Sequence, residues 1–84
     1  MYFNLIKMYI KNLRKEHIVE YAKKEGIDLN ENEIDAIYNT INKNWEELYK
    51  TDGKRVLNNI KNELREETYQ KLTKIYKDAK EKLL

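Results

Sequence analysis

The chain has no cysteine, no proline and no serine; it has one histidine, His17, and two glycines, Gly26 and Gly53. Each scarcity removes a class of protein. Without cysteine, neither a disulfide framework nor a thiolate zinc site can brace a domain of 84 residues. A chain that short buries only a little over ~60% of its unfolded surface and is marginal unaided. Without cysteine or serine, and with one histidine, the common nucleophile–base arrangements lack their members. His17 stands beside the apolar Ile18 and reads as a partly buried surface residue rather than a general base or a ligand. Neither glycine lies in a phosphate-loop pattern. No apolar run approaches the ~20 residues of a membrane span. The start, Met1 to Ile10, is apolar but broken by Asn4 and Lys7, and it has no small-residue cleavage site. The expectations are a non-enzymatic, cytoplasmic protein with no catalytic residue, no cofactor and no metal.

Two carboxylate pairs, Glu31 with Asp35 and Glu16 with Glu20, lie one helical turn apart and invite a cation-site reading. The plainer reading is preferred. Glu31 and Glu33 fall in a first helical turn, where negative charge suits the helix dipole, and the other acids fall on polar faces.

Charged residues make up 38% of the chain and hydrophobic ones 40%, with Lys, Glu, Asn, Ile, Leu and Tyr dominant. That mixture favours helix and carries enough large apolar side chains for a core. The expected fold class is all-α, a compact bundle of four to five short helices forming a single domain over 1–84. Charge is segregated. Residues 1–15 hold four bases and no acid, residues 16–47 nine acids against three bases, and residues 48–84 ten bases against six acids. The preferred meaning is internal, with oppositely charged helix surfaces facing each other in the fold or across a dimer. A basic surface for an anionic partner is the sharper alternative.

The clearest local signal is Leu29–Ile34. Asn30 is a good N-cap, Glu33 completes a capping box, and Leu29 with Ile34 has the spacing of a hydrophobic staple. Gly26 suits the left-handed residue that ends the preceding helix near Glu25. From Glu31, an apolar stripe of Ile34, Ile37, Tyr38, Ile41, Trp45, Leu48 and Tyr49 predicts a helix to about Lys50, weakest at Asn42–Asn44. Asp52 is a candidate N-cap for a short helix over roughly Gly53–Glu63. A last helix spans about Arg65–Leu83, with Glu67–Lys71 and Asp78–Lys82 as i,i+4 pairs. The first third is read two ways: one helix from Tyr2 to Glu25, or two, with Asn12 capping a helix over Leu13–Glu25 that turns Ile18, Tyr21 and Ala22 inward. The core is expected around Ile34, Ile37, Ile41, Trp45, Leu57, Ile60, Leu72, Ile75 and Tyr76.

The stretch from Ile18 through Tyr21-Ala22, Gly26 and Ile27-Asp28-Leu29-Asn30, with the closing helix entered at Arg65-Glu66-Glu67-Thr68, resembles small uncharacterised helical proteins of low-GC Gram-positive bacteria. The resemblance covers residues 10–80 and rests on caps and core positions. It implies an all-helical fold and carries over no activity and no functional residue. Arg14 and Arg65 stand where Ser or Thr caps would be expected.

Two apolar stripes run along the first helix: Phe3, Ile6, Ile10 and Leu13, and beside them Tyr2, Leu5 and Tyr9. A face that wide suggests burial on two sides. With seven tyrosines, whose rings suit half-buried and interface positions, it points to a protein-interaction or regulatory module, self-association being one form of it. The contact is expected to include Tyr2, Phe3, Ile6, Tyr9 and Ile10. The alternative is nucleic-acid binding through a basic patch of Lys7, Lys11, Arg14 and Lys15, or through Lys71, Lys74 and Lys77. It is not favoured at modest net charge, and a recognition helix at Glu31 would present acids to phosphates. Membrane-surface attachment by the first helix ranks third.

Overall fold

A computed structural model describes residues 2–83, and the side chains of residues 3–82. Five α-helices form: α1 (Tyr2–Lys11), α2 (Lys15–Lys24), α3 (Glu31–Lys50), α4 (Lys54–Ile60) and α5 (Glu66–Leu83). A single 3-10 turn, Lys61–Glu63, continues α4. Among the described residues there is no strand, so the all-α class holds, and α3 and α5 span nearly the lengths their sequences predict. None of these helices is long and apolar enough to cross a membrane.

Residues 2–25 form two helices, and the cap expected at Asn12 works in the other direction. Its side-chain amide donates to the Met8 carbonyl at 2.9 Å, closing α1 rather than opening α2. The chain turns extended at Arg14, the residue before α2. An arginine side chain cannot accept a hydrogen bond, so the Arg14 carbonyl takes the N–H its side chain would otherwise cap, and His17 forms the reciprocal half of the cap. Its Nδ1 takes the Arg14 backbone N–H at 3.1 Å, while the His17 N–H donates to the Arg14 carbonyl, also at 3.1 Å. The imidazole thus stands where Glu or Gln stands in a capping box.

The α2–α3 junction forms as its sequence predicts. Gly26 takes φ +73°. The Ile27 N–H donates to the Ala22 carbonyl at 2.8 Å and the Gly26 N–H to the Lys23 carbonyl at 3.2 Å, which is a Schellman ending. Asn30 then accepts the Glu33 N–H at 2.8 Å, and Glu33 accepts the Asn30 N–H at 3.2 Å. Downstream, α3 does not break at Asn42–Asn44, because the Asn42 amide bonds back to the Tyr38 carbonyl at 3.0 Å. At the next turn Gly53, at φ +72°, precedes α4. Asp52 contributes from one residue earlier by accepting the Lys54 N–H at 3.1 Å.

α3 is the axis. α1 and α2 pack along it, as do α4 and the 3-10 turn. Residues 2–15 run back along α3. The Phe3 ring lies 5.2 Å from Trp45 and 5.9 Å from Tyr49, while Lys15 reaches Asp35 at 2.8 Å. The buried cluster is Ile18, Ala36, Ile37, Ile60 and Leu64, with Leu13, Leu29, Tyr38, Ile41, Tyr69 and Leu72 packed against it. Of the expected core, Ile37 and Ile60 are fully enclosed; Ile34, Ile41, Trp45, Leu57, Leu72, Ile75 and Tyr76 are half-buried. Val56, Ile27 and Ala22 are enclosed instead. Burial is deepest where α2, α4 and the 3-10 turn converge on α3, and shallower along α5.

α5 is attached largely by polar tethers. The Tyr76 hydroxyl donates to the Leu48 and Thr51 carbonyls and the Lys80 ammonium to the Tyr49 carbonyl, while the Lys71 ammonium reaches the Gly26 carbonyl at 3.3 Å. The Glu67–Lys71 pair forms at 3.2 Å; Asp78–Lys82 is not among the ion pairs of the described residues.

The strongest tether is at the start of α5. Glu33 holds its expected place in the first turn of α3 but is only 1% exposed, a burial its sequence position does not announce. One carboxylate oxygen accepts from Arg65 Nε at 3.2 Å and Nη2 at 2.7 Å; the other accepts the Arg65 backbone N–H at 2.9 Å. The Arg65 guanidinium also donates to the Asp28 carbonyl. Burial pushes the Glu33 pKa up. The Arg65 guanidinium and N–H, the Asn30 N–H and the Thr68 hydroxyl outweigh that, and they hold it down at about 2. So Arg65, where a Ser or Thr cap was expected, locks the start of α5 to the start of α3.

The charge segregation is answered within the fold at three long-range ion pairs. Lys15–Asp35, Arg55–Glu47 and Arg65–Glu33 each join a basic terminal segment to the acidic middle.

Candidate interaction surface

Helix geometry parts the two apolar stripes of α1. Phe3, Ile6 and Ile10 are half-buried, with Phe3 stacked on Trp45 and Tyr49. The second stripe is in solvent: Leu5 is 58% exposed and Tyr9 68%, with Met8 beside them at 62%. The Tyr2 side chain lies outside the described residues. Of the expected contact set, then, Tyr9 faces outward and Phe3, Ile6 and Ile10 are turned at least partly into the protein's own packing.

Tyr9 leads into a cleft. Together with Tyr21 and His17 it lines a partly open apolar cavity of about 340 Å³, whose walls include Ile37, Ile41, Leu57, Ile60, Leu72 and Ile75. The cavity lies over the buried cluster, between the α1–α2 side and α5. Tyr21, expected to point inward, is 52% exposed. Partial burial, then the nearby Glu25 carboxylate, then the proximity of Tyr9 raise the pKa of its phenol. Both phenols line the cavity. Leu5, Met8, Tyr9 and Tyr21 are the large apolar side chains that the fold leaves most uncovered among the described residues. Met8 and Tyr21 belonged to neither α1 stripe. The available signal was spacing: Met8 follows Leu5 by three, and Tyr21 lies on the side of α2 flanking Ile18 and Ala22.

The basic patch is exposed as a whole, but its members differ. Lys15 is engaged by Asp35, whose hydrogen bond and charge raise the lysine's pKa. Lys7, Lys11 and Arg14 form no ion pair among the described residues. Lys7 projects from the flank of α1 opposite Leu5 and Tyr9.

Both carboxylate pairs come together. Glu16, Glu20, Glu31 and Asp35 line a shallow polar hollow between α2 and α3, floored by Val19 and Ile34. Asp35 is held by Lys15 there. Among the described residues no group of three or more His, Asp or Glu side chains converges on a point where a metal ion could sit.

No curated protein and no solved structure matches the chain. One family model does, over residues 1–79, and it is described as a protein of unknown function, DUF2624. A match across nearly the whole helical domain settles the family: the chain belongs to DUF2624, a family whose function is not established.

Proposed function

We propose that this protein is a non-enzymatic interaction module that binds another protein through the mouth of the apolar cleft. The observation that carries the reading is that Leu5, Met8, Tyr9 and Tyr21 are large apolar side chains held in solvent, two of which, Tyr9 and Tyr21, line an apolar cavity. Exposed apolar groups that adjoin one another mark contact sites more often than they occur by chance. Tyrosine in particular suits a surface that is wet in one state and covered in another.

The polar chemistry supports the non-enzymatic half of the reading. The Nδ1 of His17 is occupied by a backbone N–H, and Glu33, the most enclosed acid, has its lone pairs taken by Arg65, Asn30 and Thr68. Neither is poised for proton transfer to a substrate. The basic residues give a nucleic-acid reading less support, since Lys15 is committed to Asp35.

The test is capture from the native cytosol by the immobilised full chain, against the same chain carrying Leu5→Glu and Tyr9→Glu. A protein retained by the first and lost by the second, with helicity unchanged by circular dichroism, is the expected result. Equal retention by both would overturn the proposed surface.

A further inference from the structure

We infer that the occupant of this surface is a second copy of the same chain, related by a two-fold axis, with the outer seam of α1 in the contact. The inference rests on the interaction reading above and names its partner.

Three features converge on a like partner. The first is area. Leu5, Met8, Tyr9 and Tyr21 leave on the order of 500 Å² of surface uncovered on each copy, most of it apolar. Pairing two such faces buries about 1,000 Å² before the cleft walls are counted, the lower bound for a specific interface. For an 84-residue chain with no cysteine, such a contact is also the available route to a larger shared core.

The second feature is periodicity. Leu5, Met8 and Tyr9 lie at spacings of three and four on α1, making a narrow seam of the kind that packs against another helix seam. The third is charge. A two-fold contact sets each residue near its own copy, so a charged patch would oppose itself. The four uncovered side chains carry no charge themselves, Lys7 lies on the opposite flank of α1 from Leu5 and Tyr9, and Lys15 is paired with Asp35. The seam is also adjacent to a cleft of its own copy. A ridge beside a groove on one face is the self-complementary shape an isologous interface needs.

Light scattering across a hundredfold range of protein concentration tests this. The full chain is expected to approach twice its 10.3 kDa mass at the upper end. The Leu5→Glu/Tyr9→Glu chain should stay at the single-chain mass with unchanged helicity. Lys7→Glu, on the far flank of α1, should dimerise as the unmodified chain does. A single-chain mass at every concentration overturns the second copy. In that case, capture from cytosol that depends on Leu5 and Tyr9 would leave the interaction reading standing, and no dependent capture would remove both. Dimerisation that survives Leu5→Glu/Tyr9→Glu, or that Lys7→Glu abolishes, overturns the assigned seam.

Discussion

At Glu33 a carboxylate that water would readily solvate is enclosed, and hydrogen bonds from two helix starts close around it. At the cleft mouth the reverse holds: Leu5, Met8, Tyr9 and Tyr21, which a core would readily enclose, stand in solvent. The first arrangement costs desolvation and is tolerable only because it is fully partnered. The second forgoes burial worth about 1.5–3 kcal/mol for each large side chain. A chain of this size has little stability to forgo. The contrast therefore separates two roles: the polar joint sets how α5 meets α3, and the apolar mouth is kept for a contact outside the fold.

The comparison breaks most sharply at the joint. Replacing Glu33 by Ala leaves the Arg65 and Asn30 donors without their acceptor. Because the Arg65 side chain is itself half-exposed, the cost is that of the stranded donors and the emptied site, about 3 kcal/mol, as urea denaturation followed by circular dichroism would show. The same joint predicts a pH dependence with a definite sign. Its folded pKa lies below its ordinary value of 4.5, so its contribution is complete above 4.5 and is lost as pH falls toward about 2. The loss over that window is about 3 kcal/mol. Glu33→Gln should flatten the acid limb while lowering stability at neutral pH.

At the other end of α5, Gly53→Ala is expected to cost about 2–3 kcal/mol. The added Cβ would lie 2.7–2.9 Å from the Tyr76 ring and hydroxyl, at a backbone φ of +72°. Gly26 shares that backbone conformation, but its Cβ would meet open space. Gly26→Ala should therefore cost only the backbone term, about 1 kcal/mol. Thermal midpoints of the two variants sharpen the difference between a closed joint and an open turn.

At the mouth the expectation inverts. Tyr9→Ser, measured at high dilution, should change stability by no more than ~0.5 kcal/mol, while weakening association. The smallest effect belongs to Arg55→Gln. The pair with Glu47 is solvent-exposed, so the midpoint shift should be slight and should vanish in high salt.

Much of the architecture was legible because it is written locally. Asn30, Glu33 and Gly26 announce their cap and turn within eight residues, and the α3 stripe announces its length. Asn12 and Arg14 misled because a cap is a pairing rather than a residue type: His17, three positions later, decides where α2 starts. Glu33 misled more deeply. Its capping role is local, but its burial depends on Arg65, thirty-two residues away, and no periodicity reports that. The doubled apolar width of α1 was visible in the sequence. Which stripe faces α3 was not, because the choice depends on the fit of Phe3 against Trp45 and Tyr49.

The most direct test of the uncovered mouth is the thermal midpoint of the unmodified chain as a function of its own concentration. If the mouth is covered by a second copy, association stabilises the folded state by mass action. The midpoint should then rise steadily with concentration, and Leu5→Glu/Tyr9→Glu should abolish the rise. A midpoint independent of concentration in the unmodified chain would contradict the account.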